Sequence, residues 1–218
     1  MSGGQPGTGR EVGFEQISAK RVCENSSRLA RRLGPESAQV LEAMLHLGVS
    51  LSNQGRNAEA EREYRQLLDI ERRVLGPGDP QTLRAMGNLA VAIHRQDHFA
   101  EAEQAYREVL AADRRVLGPE HPRTALQMSN LASALLAEGR LADSEKLYRE
   151  ALAIQLRAVG PENPYTLLSQ SNLADVLFEE GHVREAEKLK RETLETMIST
   201  LGPDHEVARL LAVTRPHR

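Results

Sequence analysis

Cysteine is almost missing from this chain. Cys23 stands alone among 218 residues, so no internal disulfide can close and no thiolate zinc site can be assembled. Tryptophan is absent and aromatics total 3%, which argues against a sandwich or barrel, whose strands draw on aromatic and β-branched residues. No run of about 18 apolar residues occurs, so nothing is expected to span a membrane. The opening MSGGQPGTGREVG lacks the apolar segment of a secretory signal, and a cytoplasmic location is expected. Charge of one sign is scarce too: 28 Lys+Arg against 31 Asp+Glu give a net charge of -3, which excludes bulk electrostatic binding to nucleic acid.

What is abundant is Leu (30) and Ala (26), both strong helix formers, and they are arranged periodically. Leu33-Gly34-Pro35, Leu75-Gly76-Pro77, Leu117-Gly118-Pro119, Val159-Gly160-Pro161 and Leu201-Gly202-Pro203 recur every 42 residues. His46-Leu47-Gly48, Asn88-Leu89-Ala90, Asn130-Leu131-Ala132 and Asn172-Leu173-Ala174 return at the same period, as do Tyr64-Arg65, Tyr106-Arg107, Tyr148-Arg149 and Lys190-Arg191. Four units result: 33–74, 75–116, 117–158 and 159–200. A flexible tail is expected over 1–14, a degenerate capping helix over 15–32, and a short helix and tail over 201–218.

Each unit predicts two helices, A and B. Gly-Pro stops one helix, and Asp79-Pro80, His121-Pro122 or Asn163-Pro164 starts the next, with a capping side chain and proline at the first helical position. In the second unit, helix A over about 80–95 carries Leu83, Met86, Leu89, Ala90 and Ile93 at three- and four-residue steps. Helix B, over about 99–116, places Ala102, Tyr106, Val109, Leu110 and Val116 on one stripe. Glu61/Arg65, Glu103/Arg107, Glu145/Arg149 and Glu187/Arg191 are spaced for ion pairs worth about 0.2–0.5 kcal/mol each on a solvated face. Small residues recur at Gly48, Ala90, Ala132 and Ala174 on A, and at Ala60, Ala102, Ser144 and Ala186 on B. They let backbones approach, so stacked units bury what one unit cannot. The expected fold is all-α, a right-handed α-solenoid with A helices on the inside.

The stretch LGPEHPRTALQMSNLASALLAEGRLADSEKLYREAL at 117–152 resembles the tetratricopeptide repeat in its 42-residue kinesin-light-chain form, and the resemblance extends over about 33–205. It implies a non-catalytic protein-binding scaffold whose helix-A face holds an extended peptide, with asparagine amides clamping the peptide backbone. By offset that role falls to Asn88, Asn130 and Asn172; structural bridging between A helices is the alternative. Arg84 and Arg95 flank the site in the second unit, Ser129 and Ser133 in the third, Asp175 in the fourth, and an acidic group in the partner is expected near Arg84 and Arg95. The rival role is assembly, by self-association or as a module of a longer protein; a monomer is favoured.

Catalytic and metal chemistry find little support. His94 and His98 straddle a turn at Asp97 and are expected to be ordinary surface histidines. Gly4–Arg10 lacks the Lys-Ser/Thr ending and the preceding strand of a phosphate loop. No GxSxG or HExxH occurs, so no enzyme activity, cofactor or metal is expected. Cys23 is expected to be a small core filler.

Overall fold

In a computed structural model, residue 28 and residues 30–201 are described; the expectations for Cys23, the capping helix and the segment after 201 fall outside them, save for a helical stretch ending at residue 33. Eight longer helices follow: α1 (Ala38–Asn53), α2 (Asn57–Val74), α3 (Pro80–His94), α4 (Phe99–Val116), α5 (Pro122–Ala137), α6 (Leu141–Ala158), α7 (Pro164–Glu179) and α8 (Val183–Leu201). They are the A and B helices of the four units in order. No strand occurs among the described residues.

Helix starts follow the sequence signals. Asp79 accepts a hydrogen bond from the Gln81 amide at 2.8 Å, and Asn163 one from Tyr165 at 3.0 Å. The His121 ring does the same through Nδ1 for Arg123 at 3.1 Å, so even the unconventional cap satisfies a first-turn N–H. One turn on, the Thr82 and Thr124 hydroxyls donate to the Gly76 and Gly118 carbonyls at 2.9 and 2.8 Å. These bonds tie the Gly-Pro turn to the helix that follows it.

The chain divides into two compact units, Met1–Glu101 and Ala102–Arg218. In the first, α1, α2 and α3 enclose Leu41, Leu45, Leu51, Tyr64, Leu67 and Leu68, with Ala60 and Ala85 filling the close approaches. Gly48 is the tightest of these. A Cβ there would lie 2.4 Å from the Tyr64 ring, so the ring fills the space that any side chain at this position would need. In the second, Tyr148, Leu152, Leu173, Val176 and Leu177 pack around Ala132 and Ala186, and Leu167 meets Met197 beside them. Ser144 stands where the other units have alanine, and its buried hydroxyl donates to the Ala132 carbonyl at 2.7 Å.

One expectation about the B helices needs refinement, and one polar register was not anticipated. Val116, placed on the apolar stripe, is 43% exposed, because the helix ends there. A second register that looks solvated in sequence is buried: Glu71, Asp113 and Gln155, each 42 residues apart, are 2%, 0% and 1% exposed.

Candidate functional site

Each A helix buries most of its surface and leaves one stripe open. On α3 it carries Arg84 (exposed), Asn88 and Val91 (half-buried) and Arg95 (exposed). On α5 it is Leu126, Asn130 and Ser133, all half-buried; on α7 it is Tyr165, Leu168, Asn172, Asp175 and Glu179, with only Asn172 half-buried. These positions recur at three- and four-residue steps and therefore line one side of a helix. The residues between them, such as Leu83, Ala85, Ala90, Ala132, Leu173 and Ala174, lie in the core.

Within the first unit, no hydrogen bond among the described residues uses the Asn88 amide. Arg95 is engaged: its guanidinium donates to the Ser52 hydroxyl at 3.0 Å and to the Ser52 carbonyl at 3.2 Å, closing the ends of α1 and α3 together. Arg84 stays on the surface, where its charge acts on the buried Glu71. Burial pushes the Glu71 carboxyl up to about 7, and Arg84 opposes that shift. The Tyr64 phenol is likewise pushed up to about 12 by burial, with Arg95 opposing.

Within the second unit, Asn130 donates to the Gln127 side chain one turn back at 3.3 Å. Asn172 and Ser133 lie beside the Tyr148 hydroxyl, without a hydrogen bond of standard geometry to it. Burial pushes that phenol up to about 12, and the two neighbours pull it down. The fourth repeat replaces this group by a charged one at the same offsets: Asp175 accepts from Lys190 at 3.0 Å. Neither Asn130 nor Asn172 thus makes its contact to a neighbouring A helix.

Ser129 departs from the expected peptide face. It is 7% exposed, and its hydroxyl lies 2.8 Å from that of Ser169 and 3.2 Å from the Ala125 carbonyl, to which it donates. One residue along a helix is a 100° rotation, which takes Ser129 from the open stripe of Asn130 into the seam between α5 and α7. Leu168, at 49% exposed, and Tyr165, at 55%, are on the stripe instead. Leu168 stands four residues before Asn172, a spacing that already puts it on this face; Tyr165, seven residues before, carries the same signal but reads as an apolar core position.

The B helices carry ion pairs. Glu61–Arg65 forms, as do Glu103–Arg107 at 2.6 Å and Glu145–Arg149 at 2.7 Å. Arg65 and Arg149 also reach the next B helix, to Glu101 at 2.8 Å and Glu185 at 2.9 Å. The arginines are about half-exposed, so each pair adds little stability while using up the charge on that face. Among the described residues no group of three or more His, Cys, Asp or Glu could hold a metal ion. His94, half-buried, packs edge-on against Phe99 at 5.4 Å, and burial holds its pKa down. No described helix is long and apolar enough to cross a membrane.

Known proteins share these features. Residues 39–115 and 125–199 match the tetratricopeptide repeat family. A Podosopora anserina protein assigned as a kinesin light chain, with nearly identical TPR-like repeats, superposes with a TM-score of 0.71 at 25% identity, over 88% of this chain and 90% of that one. BtubC (BKLC) from P. vanneervenii gives 0.70 at 21% identity, over 92% and 76%. A Rap protein complexed with Competence and Sporulation Factor gives 0.70 at 11% identity, over 91% and 57%, and shares the fold alone. No curated protein matches the chain. With a family match over more than half its length, on helix pairs that repeat every 42 residues, the chain is an all-α solenoid that belongs to the tetratricopeptide repeat family, and its units resemble those of kinesin light chains.

Proposed function

We propose that this protein is a non-catalytic scaffold that holds an extended segment of a protein partner against its A helices. One observation carries the reading: each of α3, α5 and α7 leaves the equivalent stripe open, with a half-buried asparagine at its centre. An extended peptide presents unpaired N–H and C=O groups, and a primary amide can answer both. Asn is a mediocre helix former, and three in register on packed helices call for a reason. Bridging between A helices would be one, but Asn130 bonds within its own helix and Asn172 lies against Tyr148 of α6.

The contacts are then Arg84 and Asn88 in the first compact unit and Asn130, Ser133, Asn172 and Asp175 in the second compact unit. An acidic group of the partner is suited to Arg84, which is exposed, more than to Arg95, whose guanidinium already holds Ser52. The test is a peptide-array screen of the wild type against the triple variant Asn88/Asn130/Asn172→Ala. Loss of the bound peptides with helicity retained supports the reading; an unchanged profile overturns it.

A further inference from the structure

The stripe on α7 differs in chemistry from those on α3 and α5. It begins with two large exposed apolar side chains, Tyr165 and Leu168, and ends with two exposed acids, Asp175 and Glu179. Asn172 lies between them. On α5 the corresponding positions hold Arg123, Leu126, Asn130, Ser133 and Ala137, so a cation stands where α7 has Tyr165 and no acid occurs. The second unit thus offers an apolar patch at one end of an asparagine and a negative patch at the other.

The cations near this stripe are already engaged. Arg123 bonds the buried Asp113 at 3.1 Å, and Lys190 bonds Asp175 at 3.0 Å. Glu179 has no ion-pair partner among the described residues. The apolar pair is open as well, with roughly half of each side chain facing solvent. Exposed large apolar residues beside a polar register are the usual makeup of an interface anchor.

We infer that the second unit recognises a peptide segment bearing one large apolar residue, seated on Tyr165 and Leu168, and one Lys or Arg, seated on Glu179 and Asp175. This deepens the scaffold function proposed above and rests on it. Helix rise sets the spacing. Leu168 to Asp175 spans about 10 Å and Leu168 to Glu179 about 16 Å at 1.5 Å per residue. An extended chain at about 3.3 Å per residue covers that in roughly three to five residues.

The experiment is a random dodecapeptide display selection on the full chain, followed by affinity measurement of the selected peptides. Binders bearing an apolar residue three to five positions from Lys or Arg are expected, each weakened about tenfold by Leu168→Asp and by Glu179→Lys. Both sites are exposed, and retained helicity confirms that the fold is intact. Lys190→Ala, which frees Asp175, should strengthen the same peptides. Binders that depend on Asn130 and Asn172 but lack the apolar–basic spacing, or ignore Leu168→Asp and Glu179→Lys, overturn this inference and leave the scaffold function standing. Failure to select any binder, or binders indifferent to the asparagines, overturns both.

Discussion

Asp97 occupies the left-handed backbone region, with φ 62°, at the turn where the other units have Gly55, Gly139 and Gly181. An L-residue there carries a steric cost that glycine avoids, so Asp97→Gly is expected to stabilise the protein by about 0.5–1 kcal/mol. Urea denaturation tests this, and a loss of stability would contradict it. Gly48 presents the reverse case, since an added methyl would meet the Tyr64 ring at 2.4 Å. Gly48→Ala is expected to cost about 1–3 kcal/mol, and Tyr64→Leu in the same chain should recover part of it, a coupling that a double-mutant cycle reads directly. Additive losses would mean that the ring is not the obstacle. Glu71 shows what burial does to a carboxyl, with one oxygen lacking a partner and the group pushed up to about 7. A folded-state pKa above the ordinary carboxylate value means that the contribution to stability is complete below about 4.5 and is lost as pH rises through about 7. Glu71→Gln copies Gln155, which holds the same register. It should match the wild type near pH 5 and exceed it at pH 8 by about 1–3 kcal/mol; equal stabilities at pH 8 would refute the assignment.

Elements repeat while their details drift, and the turns between A and B helices show this most clearly. In the third repeat Arg140 bridges Glu103 at 2.7 Å and Glu138 at 3.7 Å. In the fourth, Glu145 and Glu180 hold those acidic positions, but His182 stands at the arginine offset, 3.9 Å from Glu180. Burial and the neighbouring Glu145 raise the Glu180 pKa. The raised value means that this turn loses stability as pH climbs past the ordinary carboxylate range. His182→Arg is expected to raise the melting temperature at pH 8 by about 2 °C and to do nothing near pH 4, where Glu180 is protonated. A gain of the same size at both values would show that the arginine acts without the carboxylates. Helices, caps and turns were legible in the sequence because each rests on local chemistry repeated at a fixed offset, as with Asp79 and Asn163. Ser129 lies off the stripe because a neighbour in sequence is turned 100° away on a helix, into the core. The buried Glu71–Asp113–Gln155 register was hidden because a polar side chain at a helical step reads as solvated until its neighbours are known.

At the scale of the molecule, the 42-residue period made the architecture legible, since a unit with two apolar stripes can complete a core only by stacking. Tyr165 at the start of the α7 stripe was less so, because an aromatic in the first turn of an apolar-rich helix reads as a core position until its neighbours are known. Stability in such arrays is a sum of unit terms and nearest-neighbour terms rather than one cooperative quantity. Leu67 is wholly buried in the cluster formed by α1, α2 and α3, and Leu67→Ala should remove about 2–5 kcal/mol there. If coupling is passed only between neighbours, native-state hydrogen exchange should accelerate by about thirtyfold or more in α1–α3. The amides of α7 and α8, in the second compact unit, should change by only a small factor. Equal acceleration in all eight helices would mean that the chain opens only as a whole. Its repeats would then share one stability, and a ligand held on α7 would protect α1 as much as the helix it touches.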